Sequence, residues 1–127
     1  MQDWIAEELR TVSLPDARLA QRCQILLDRL SSKPMHSLPT ACRGWGETQA
    51  AYRFFSNERI TPSQLLEPHT AATVERMRQH PVVLLPQDTT QFEMTRSQER
   101  LGGPLSDEQH RGMLDHVTLA VTPVNDA

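Results

Sequence analysis

The sequence has few cysteines, one lysine and no long apolar segment. Its 127 residues include two cysteines, Cys23 and Cys42, which are too few for a disulfide scaffold and lack the spacing of a zinc site. No stretch approaches the ~18 consecutive apolar residues of a membrane span. The N-terminus lacks the basic and then apolar pattern of a signal peptide. These absences predict a cytoplasmic protein without membrane contact, with reduced thiols and Cys23 half-buried on a helix.

The charge of the chain is unevenly distributed. A net charge of −3 argues against a uniformly basic nucleic-acid-binding protein. Residues 17–53, however, carry six basic and two acidic residues, whereas residues 60–127 carry five basic and nine acidic ones. This contrast indicates two segments with different roles. All basic residues except Lys33 are arginine, which suits bidentate phosphate binding, although a GC-rich genome produces the same bias.

Apolar periodicity predicts helices over the first 80 residues. The first helix ends before residue 14. Asp16 is the predicted N-cap of a second helix, which ends at residues 31–34. From Leu19 onward its apolar residues follow the i, i+4, i+7, i+8, i+11 spacing of a buried helix face.

Three further helices are predicted from turn and cap residues. A short helix starts at residues 37–39 and is interrupted by Gly44 and Gly46. A helix over residues 47–57 points Ala51, Tyr52 and Phe55 inward. The last begins with Thr61 as cap and Pro62 at its first position, and runs to about residue 79 with an interruption at residue 68.

The second part of the chain is predicted to form strands. Residues 81–86 are a short apolar run between prolines, which favours a buried strand continued by residues 87–92. Residues 97–112 are polar and contain Gly and Pro, which predicts a loop. Residues 113–122 are predicted to form a second strand, with Val117, Leu119 and Val121 on one face. The loop is too long for a tight hairpin but is compatible with antiparallel pairing. The predicted class is therefore α+β, with a helical domain over 1–80 and a second domain over 81–127.

Three arginines of the second helix are predicted to lie in a stripe. At about 100° per residue, Arg18, Arg22 and Arg29 fall at roughly 0°, 40° and 20°, along one edge of the apolar face. Such a stripe can follow a phosphate backbone and release its counterions. The alternative is an ordinary solvated helix face. Arg53, among aromatic residues in the fourth helix, could likewise project toward DNA or pair with Glu47 or Asn57.

Asp88 is the most specific candidate for chemistry. It lies at the end of the predicted apolar strand, where a rigid backbone can hold a metal-binding carboxylate. Mg²⁺ takes one or two carboxylates together with phosphate oxygens and water. The alternative is an Asp that caps the following turn, and a lone Asp does not build a two-metal site. The histidines share no ligand spacing, and His116 is interpreted as structural. The aromatic residues near Arg53 are interpreted as core rather than as a base-stacking surface; they are Trp45, Tyr52, Phe54 and Phe55.

Five segments resemble the insertion-sequence DDE transposases of the IS-four and Tn-five type. They are residues 14–22 (LPDARLAQR), 50–57 (AAYRFFSN), 87–90 (QDTT), 101–105 (LGGPL) and 111–116 (RGMLDH). The first two are similar to the transposase DNA-binding domain, and the third is similar to the segment that carries the first catalytic aspartate. Together the segments extend over nearly the whole chain, in the order and with the spacing of the family.

The resemblance implies both a fold and a function. It implies a helical domain that binds double-stranded DNA at transposon ends, followed by a ribonuclease-H-like core that cuts and joins DNA with an Asp-Asp-Glu triad and Mg²⁺. Asp88 matches the first aspartate, as catalytic residue and metal ligand. Arg18, Arg22 and Arg53 match positions that bind the transposon end, and Arg29 is added to the DNA-binding set from the stripe.

The chain also departs from the family pattern. The second aspartate and the glutamate would lie beyond residue 127, as would the region that forms the homodimer of the full-length enzyme. Asp115 stands where an apolar residue is common. We therefore expect the N-terminal part of a transposase, which is inactive alone because it has only the first of the three triad carboxylates. Mg²⁺ is expected as the cofactor of the full-length enzyme. The alternatives are a truncated inhibitor that occupies transposon ends, and an inactive remnant whose unpaired strands expose their edges.

Overall fold

The α+β class is confirmed by the structure, a computed structural model that describes residues 2–94, 102–105 and 109–123. These residues form five helices and one three-stranded antiparallel sheet. The chain divides into two compact units between Arg76 and Met77. The first unit is helical, and the second contains the sheet.

The first two helices follow the sequence prediction closely. Helix α1 is Asp3–Glu8, shorter than predicted, with Ile5 buried in it and Leu9 buried just after it. Helix α2 is Ala17–Ser32. Its predicted N-cap is confirmed, because the carboxylate of Asp16 accepts a hydrogen bond of 3.0 Å from the backbone N–H of Leu19.

Helices α3 (Leu38–Ala41) and α4 (Trp45–Phe55) are separated by three residues, the last of which is Gly44. Gly44 has a φ of 86°, a conformation that glycine adopts without steric cost. The prediction that Gly46 also interrupts the helix was wrong, because Gly46 lies inside the first turn of α4. The backbone therefore needs only one break between the two helices.

The prediction of which side of α4 faces the core was wrong in part. Ala51 is buried, as predicted, but Phe54 rather than Phe55 is its aromatic partner in the core. Phe54 is 3% exposed, whereas Phe55 is 55% exposed. Trp45 and Tyr52, also interpreted as core, are 73% and 48% exposed. The core is narrow, because α4 packs mainly against α2 and α3 and leaves its other side open.

The small core of the helical unit joins α1, α2 and α4. It consists of seven buried residues: Ile5, Leu9, Cys23, Leu26, Cys42, Ala51 and Phe54. Cys23 is more buried than predicted, and burial raises the pKa of its thiol. Both cysteines are free thiols, as predicted.

Helix α5 is Pro62–Arg78 and begins at the predicted proline. Its cap is reciprocal: Thr61 donates its backbone N–H to the Gln64 side chain at 2.8 Å, and Gln64 donates its own to the Thr61 hydroxyl at 3.4 Å. The predicted interruption at Pro68 was wrong. Helix α5 runs through this residue, whose side chain is buried.

The predicted buried strand over residues 81–86 was also wrong. This run pairs with residues 119–121, because Leu84 and Val121 form a bridge and the Pro86 carbonyl accepts the backbone N–H of Leu119 at 3.0 Å. It is not buried, however, since Val82, Leu84 and Leu85 are about half exposed. Prolines at both ends have no N–H to donate, and the regular strand begins only at Gln87.

The sheet consists of β1 (Gln87–Glu93), β2 (Gly103–Pro104) and β3 (Arg111–Thr118), in the order β1-β3-β2. The predicted antiparallel pairing of the two main strands is confirmed. Part of the predicted loop was wrong, because residues 103–104 and 111–112 belong to strands. Residues 97–101 and 106–108 of that loop lie outside the described residues. Val117 alone of the three predicted face residues lies in β3, and it is half exposed.

Candidate nucleic-acid interface

Arg18 and Arg22 lie on α2 with their guanidinium groups available. Arg18 is exposed and Arg22 is partly exposed. Neither side chain makes a hydrogen bond or ion pair with any residue that the structure describes. Arg18 and Arg22 are four residues apart and therefore lie on one face of the helix, about one turn from each other. Two free arginines in this arrangement form an edge that can bind phosphates.

Arg29 has the same spacing but a different environment. Its Nε and Nη2 donate to the two carboxylate oxygens of Glu47 on α4, each at 3.0 Å. Its Nη1 donates to Asp28 at 2.6 Å. The guanidinium is therefore already bound on two sides, and the side chain is only 15% exposed. This geometry gives Arg29 a role in joining α2 to α4. Its contact with DNA stays a prediction.

Glu47 organises the segment before α4. Besides the two bonds from Arg29, its Oε2 accepts the backbone N–H of Arg43 at 2.7 Å. The hydrogen bonds from Arg29, and then that from the Arg43 backbone, lower the pKa of Glu47 to about 2. The same pairing raises the pKa of Arg29. This shows that Glu47 is the partner of Arg29, and not of Arg53 as one interpretation of the sequence had allowed.

The ion pairs of Arg29 leave the surrounding segment positive. Asp28 and Glu47 are the two acidic residues of the segment 17–53, and both bind Arg29. The other five basic residues of this segment have no acidic partner within it; they are Arg18, Arg22, Lys33, Arg43 and Arg53. Lys33 donates instead to the carbonyl of Thr40 at 2.9 Å. Arg29 thereby joins the C-terminal end of this edge of α2 to the first turn of α4.

Arg53 lies on the exposed side of α4. Its side chain has no hydrogen bond or ion pair among residues 2–94, 102–105 and 109–123. It lies about two turns after Trp45 and on the same side of the helix, away from the core side where Ala51 and Phe54 lie. Arg53 is therefore free to contact a ligand that approaches α4 from outside.

Sequence reasoning missed an ionic cluster that joins α1 to α5 in the helical unit. Glu8 is buried, and its carboxylate contacts His69 and accepts a 2.7 Å bond from Arg76. The hydrogen bond from Arg76 is the main reason why the pKa of Glu8 is lowered. The cluster borders an apolar cavity of about 630 Å³. Nothing in the sequence pattern marks it, since Glu8 and Arg76 are 68 residues apart.

Asp88 lies in the sheet unit, at the second position of β1. The sequence had predicted it at the end of an apolar strand. It is exposed, and its Oδ1 accepts the backbone N–H of Thr89 at 2.8 Å. The pairing of Asp88 with Val117 and of Thr90 with Asp115 places the two aspartates on one face of the sheet, as diagonal neighbours. On the opposite face, His116 contacts the Thr89 hydroxyl at 2.7 Å.

The carboxylates of Asp88 and Asp115 are the candidate ligands for a metal ion in the sheet. Two carboxylates on one face agree with what Mg²⁺ takes from a protein. However, no group of three His, Cys, Asp or Glu side chains suited to a metal ion occurs within the described residues. These residues do not supply a complete site, and no catalytic step follows from them.

The family that the first part of the chain matches is a DNA-binding one, which agrees with the positive charge of the segment 17–53. Residues 1–60 match the family model described as transposase DNA-binding. This match supports a transposase N-terminal DNA-binding domain in the helical unit, with DNA as its partner. No curated protein matches the chain. In the part of the chain that the structure describes, no helix is both long and apolar enough to cross a membrane.

Proposed function

We propose that the helical unit binds double-stranded DNA at the ends of a transposon of the IS-four and Tn-five type. The observation that carries the proposal is the contrast among the basic residues of the segment 17–53. Both of its acids are bound to Arg29, while Arg18, Arg22 and Arg53 have free guanidinium groups among the described residues. The match of residues 1–60 to the transposase DNA-binding family supports the same conclusion.

In this proposal Arg18, Arg22 and Arg53 contact DNA, and Arg29 positions the two helices that carry them. A bidentate Arg–carboxylate pair fixes orientation as well as distance. Arg29 and Glu47 thus hold the C-terminal end of α2 beside the start of α4. Phosphate contacts of this kind set the register of a protein on DNA but carry little sequence information.

We further propose that Asp88 contributes the first carboxylate of a metal-dependent, ribonuclease-H-like catalytic core. The support is the resemblance of residues 87–90 to the corresponding segment of these transposases, together with the position of Asp88 in a strand of an antiparallel sheet. Bound Mg²⁺ in such a core would offset the charge that develops on the transferred phosphoryl group. Since no group of three side chains suited to a metal ion occurs among the described residues, the proposal concerns Asp88 alone.

The DNA-binding proposal is tested by titration of the purified chain against two labelled duplexes. One carries the terminal repeat of the element that encodes the chain, and the other has the same bases in scrambled order. We expect end-preferring binding that weakens with salt. The Arg18→Ala/Arg22→Ala variant should bind more weakly and lose about 2 from the slope of log affinity against log salt, since each phosphate contact contributes ~0.9.

Three matched variants make the result specific. Arg10→Ala removes a charge outside the basic segment, and Asp88→Asn removes the proposed catalytic carboxylate; both should bind like the unmodified chain. Arg29→Ala should weaken binding without changing the salt slope. A folded Arg18→Ala/Arg22→Ala variant with unchanged affinity and slope would refute the proposed contacts.

A protein that occupies transposon ends without cutting them would give the same binding result in this titration. Incubation of the bound duplex with Mg²⁺ separates the two functions, because only a catalytically competent protein yields strand breaks at the transposon end. The intact chain with and without Asp88→Asn is the appropriate pair for that comparison.

A further inference from the structure

Helix α5 stands apart from the backbones of the other helices in its unit. No Cα atom of α5 lies within 8 Å of a Cα atom of α1, α2, α3 or α4. Helices in direct contact have axes about 8–10 Å apart, and their facing Cα atoms come closer than this. The space between α5 and the rest of the helical unit is therefore spanned by side chains, and part of it is open.

The open part is the apolar cavity of about 630 Å³, which we call the α5 cavity. Nine of its twelve lining residues are apolar, and they include Trp4, Leu30, Phe55 and Leu65. Trp4 and Phe55 keep 41% and 55% of their surface exposed. Sites for small apolar molecules have volumes of about 300–1,000 Å³ and occur between helices, so the α5 cavity has the size and lining of such a site.

The three polar lining residues, Glu8, His69 and Arg76, are bound to one another and form one polar end of the cavity. A carboxylate only accepts, so Nδ1 of His69 carries a hydrogen toward Glu8, and Nε2 of the neutral ring is an acceptor. This Nε2 makes no hydrogen bond with any described residue. Arg76 uses three of its five N–H donors, on Glu8 and Thr73. An acceptor and two donors thus remain for a ligand.

The charges at this end favour a neutral ligand over an anion. The hydrogen bonds to Glu8, together with the charge of Glu7, raise the pKa of Arg76. Two glutamates therefore oppose the charges of Arg76 and His69, and a ligand carboxylate would find no excess of positive charge. A hydroxyl group is neutral and both donates and accepts. It can donate to Nε2 of His69 and accept from Arg76.

We propose that the α5 cavity binds a neutral amphiphile, which is an apolar molecule that ends in a hydroxyl group. The apolar part fills the space between α5 and the other helices, where open apolar surface lacks contacts. The hydroxyl group lies at the polar end, beside His69 and Arg76. This site shares no residue with the arginines assigned to DNA, so the inference does not depend on the proposed DNA-binding function.

Two brominated probes test the inference, the ω-bromo derivatives of octanol and of octanoate. Bromine quenches the fluorescence of an indole that it touches. The chain has two tryptophans, so Trp45→Phe leaves Trp4 as the one indole, inside the cavity lining. Bromooctanol should quench Trp4 with a saturating dependence on concentration. Bromooctanoate should need a concentration at least about tenfold higher, because its charge loses hydration without gaining a partner.

The matched control for contact is Trp4→Phe, which keeps an aromatic ring in the cavity and leaves Trp45 as the one indole. Trp45 does not line the cavity. Its quenching by bromooctanol should rise linearly with concentration and show no saturation in the range that saturates Trp4. Equal quenching curves for the two single-tryptophan variants would overturn the inference, and this comparison introduces no polar group into the core.

Two adjacent leucines of α5 provide a second comparison, in the Trp45→Phe background. Leu65 lines the cavity, whereas Leu66 does not and is 60% exposed. Leu65→Asp should abolish the saturating quenching of Trp4, and Leu66→Asp should retain it. Circular dichroism establishes that both variants are folded. A folded Leu65→Asp variant with the unmodified quenching curve would contradict the assigned site.

The remaining outcomes concern the identity of the occupant. Octanoate bound as tightly as octanol would overturn the assignment of a neutral head group. If neither probe quenches Trp4 and Leu65→Asp, but not Leu66→Asp, suppresses self-association, the cavity is an interface between copies of the chain and the inference fails. None of these measurements contains DNA, so failure here leaves the DNA titration to be judged by itself.

Discussion

Glu47 shows how one residue determines what its neighbours can do. It accepts hydrogen bonds from Nε and Nη2 of Arg29 and from the backbone of Arg43. It thereby removes Arg29 from the surface, while Arg18 and Arg22 on the same edge stay free. The edge itself follows from helical periodicity and could be predicted. The ion pair of Arg29 could not be predicted, because its partner Glu47 lies 18 residues away on another helix.

We expect Glu47→Gln to destabilise the chain by about 1–3 kcal/mol at pH 7, since a partly buried Arg29 loses its charged acceptor. The pKa of Glu47 is lowered to about 2 from an ordinary 4.5. A lowered pKa means that the carboxylate form is the stabilising one. Its contribution is complete above pH 4.5 and is lost as the pH falls through about 2. Urea unfolding at a series of pH values measures this difference.

Glu58→Gln is the control for this prediction, because Glu58 is exposed. Its effect on the free energy of unfolding should be within about 0.5 kcal/mol, as for most surface substitutions. Equal effects of the two substitutions at pH 7, or an effect of Glu47→Gln that persists unchanged at pH 2, would contradict the assigned ion pair.

At the scale of elements, α4 shows the limit of periodicity. Phe54 and Phe55 lie three and four positions after Ala51, and both spacings satisfy an inward-facing helix pattern. Packing against α2 chooses Phe54, which the pattern alone does not show. The same choice turns Trp45 and Tyr52 outward, so that two residues interpreted as core are exposed. Caps were more predictable, because Asp16 and Thr61 act on groups within three residues.

The two phenylalanines provide a matched pair for testing the orientation of α4. Phe54→Ala should cost about 3–5 kcal/mol, because it leaves a cavity in the core. Phe55→Ala should cost much less, about 1 kcal/mol, since Phe55 is mostly exposed and contacts the Phe54 ring only edge-on. Chemical unfolding of both variants under one condition compares them. Equal costs, or a larger cost for Phe55→Ala, would mean that α4 is rotated relative to this structure.

Strands were less predictable than helices, for a physical reason. A strand depends on a partner that is distant in sequence, so the pattern of the apolar run 81–86 does not show that only its last residues pair, Leu84 with Val121 and Pro86 with Leu119. The regular ladder is formed by the more polar residues 87–93, on β3. Asp88 consequently moves from the end of the predicted strand to the start of the observed one. Its proposed catalytic role rests on resemblance, and its exposed position on the sheet is what the structure adds.

At the scale of the whole molecule, the two units differ in how much apolar surface they cover. The helical unit has a closed core of seven residues. In the sheet unit every residue of β1 is exposed, and large apolar side chains lie open on both main strands. Phe92 and Met113 face each other across the ladder, on the same side as Val117. β1 is also an edge strand of the described sheet.

An open edge beside exposed apolar side chains favours association between chains. We therefore expect the sedimentation coefficient of the purified chain to rise with concentration. Met113→Lys/Val117→Lys replaces two of these apolar side chains by charged ones, on the face that also carries Asp88 and Asp115, and should keep the chain monomeric over the same range. Leu66→Lys, an equally exposed apolar position on α5, should not. If the unmodified chain is monomeric at every concentration, or if Leu66→Lys suppresses association equally, the exposed sheet face is not the surface that joins the chains. DNA binding by the sheet variant should be unchanged, because the residues assigned to DNA all lie in the helical unit.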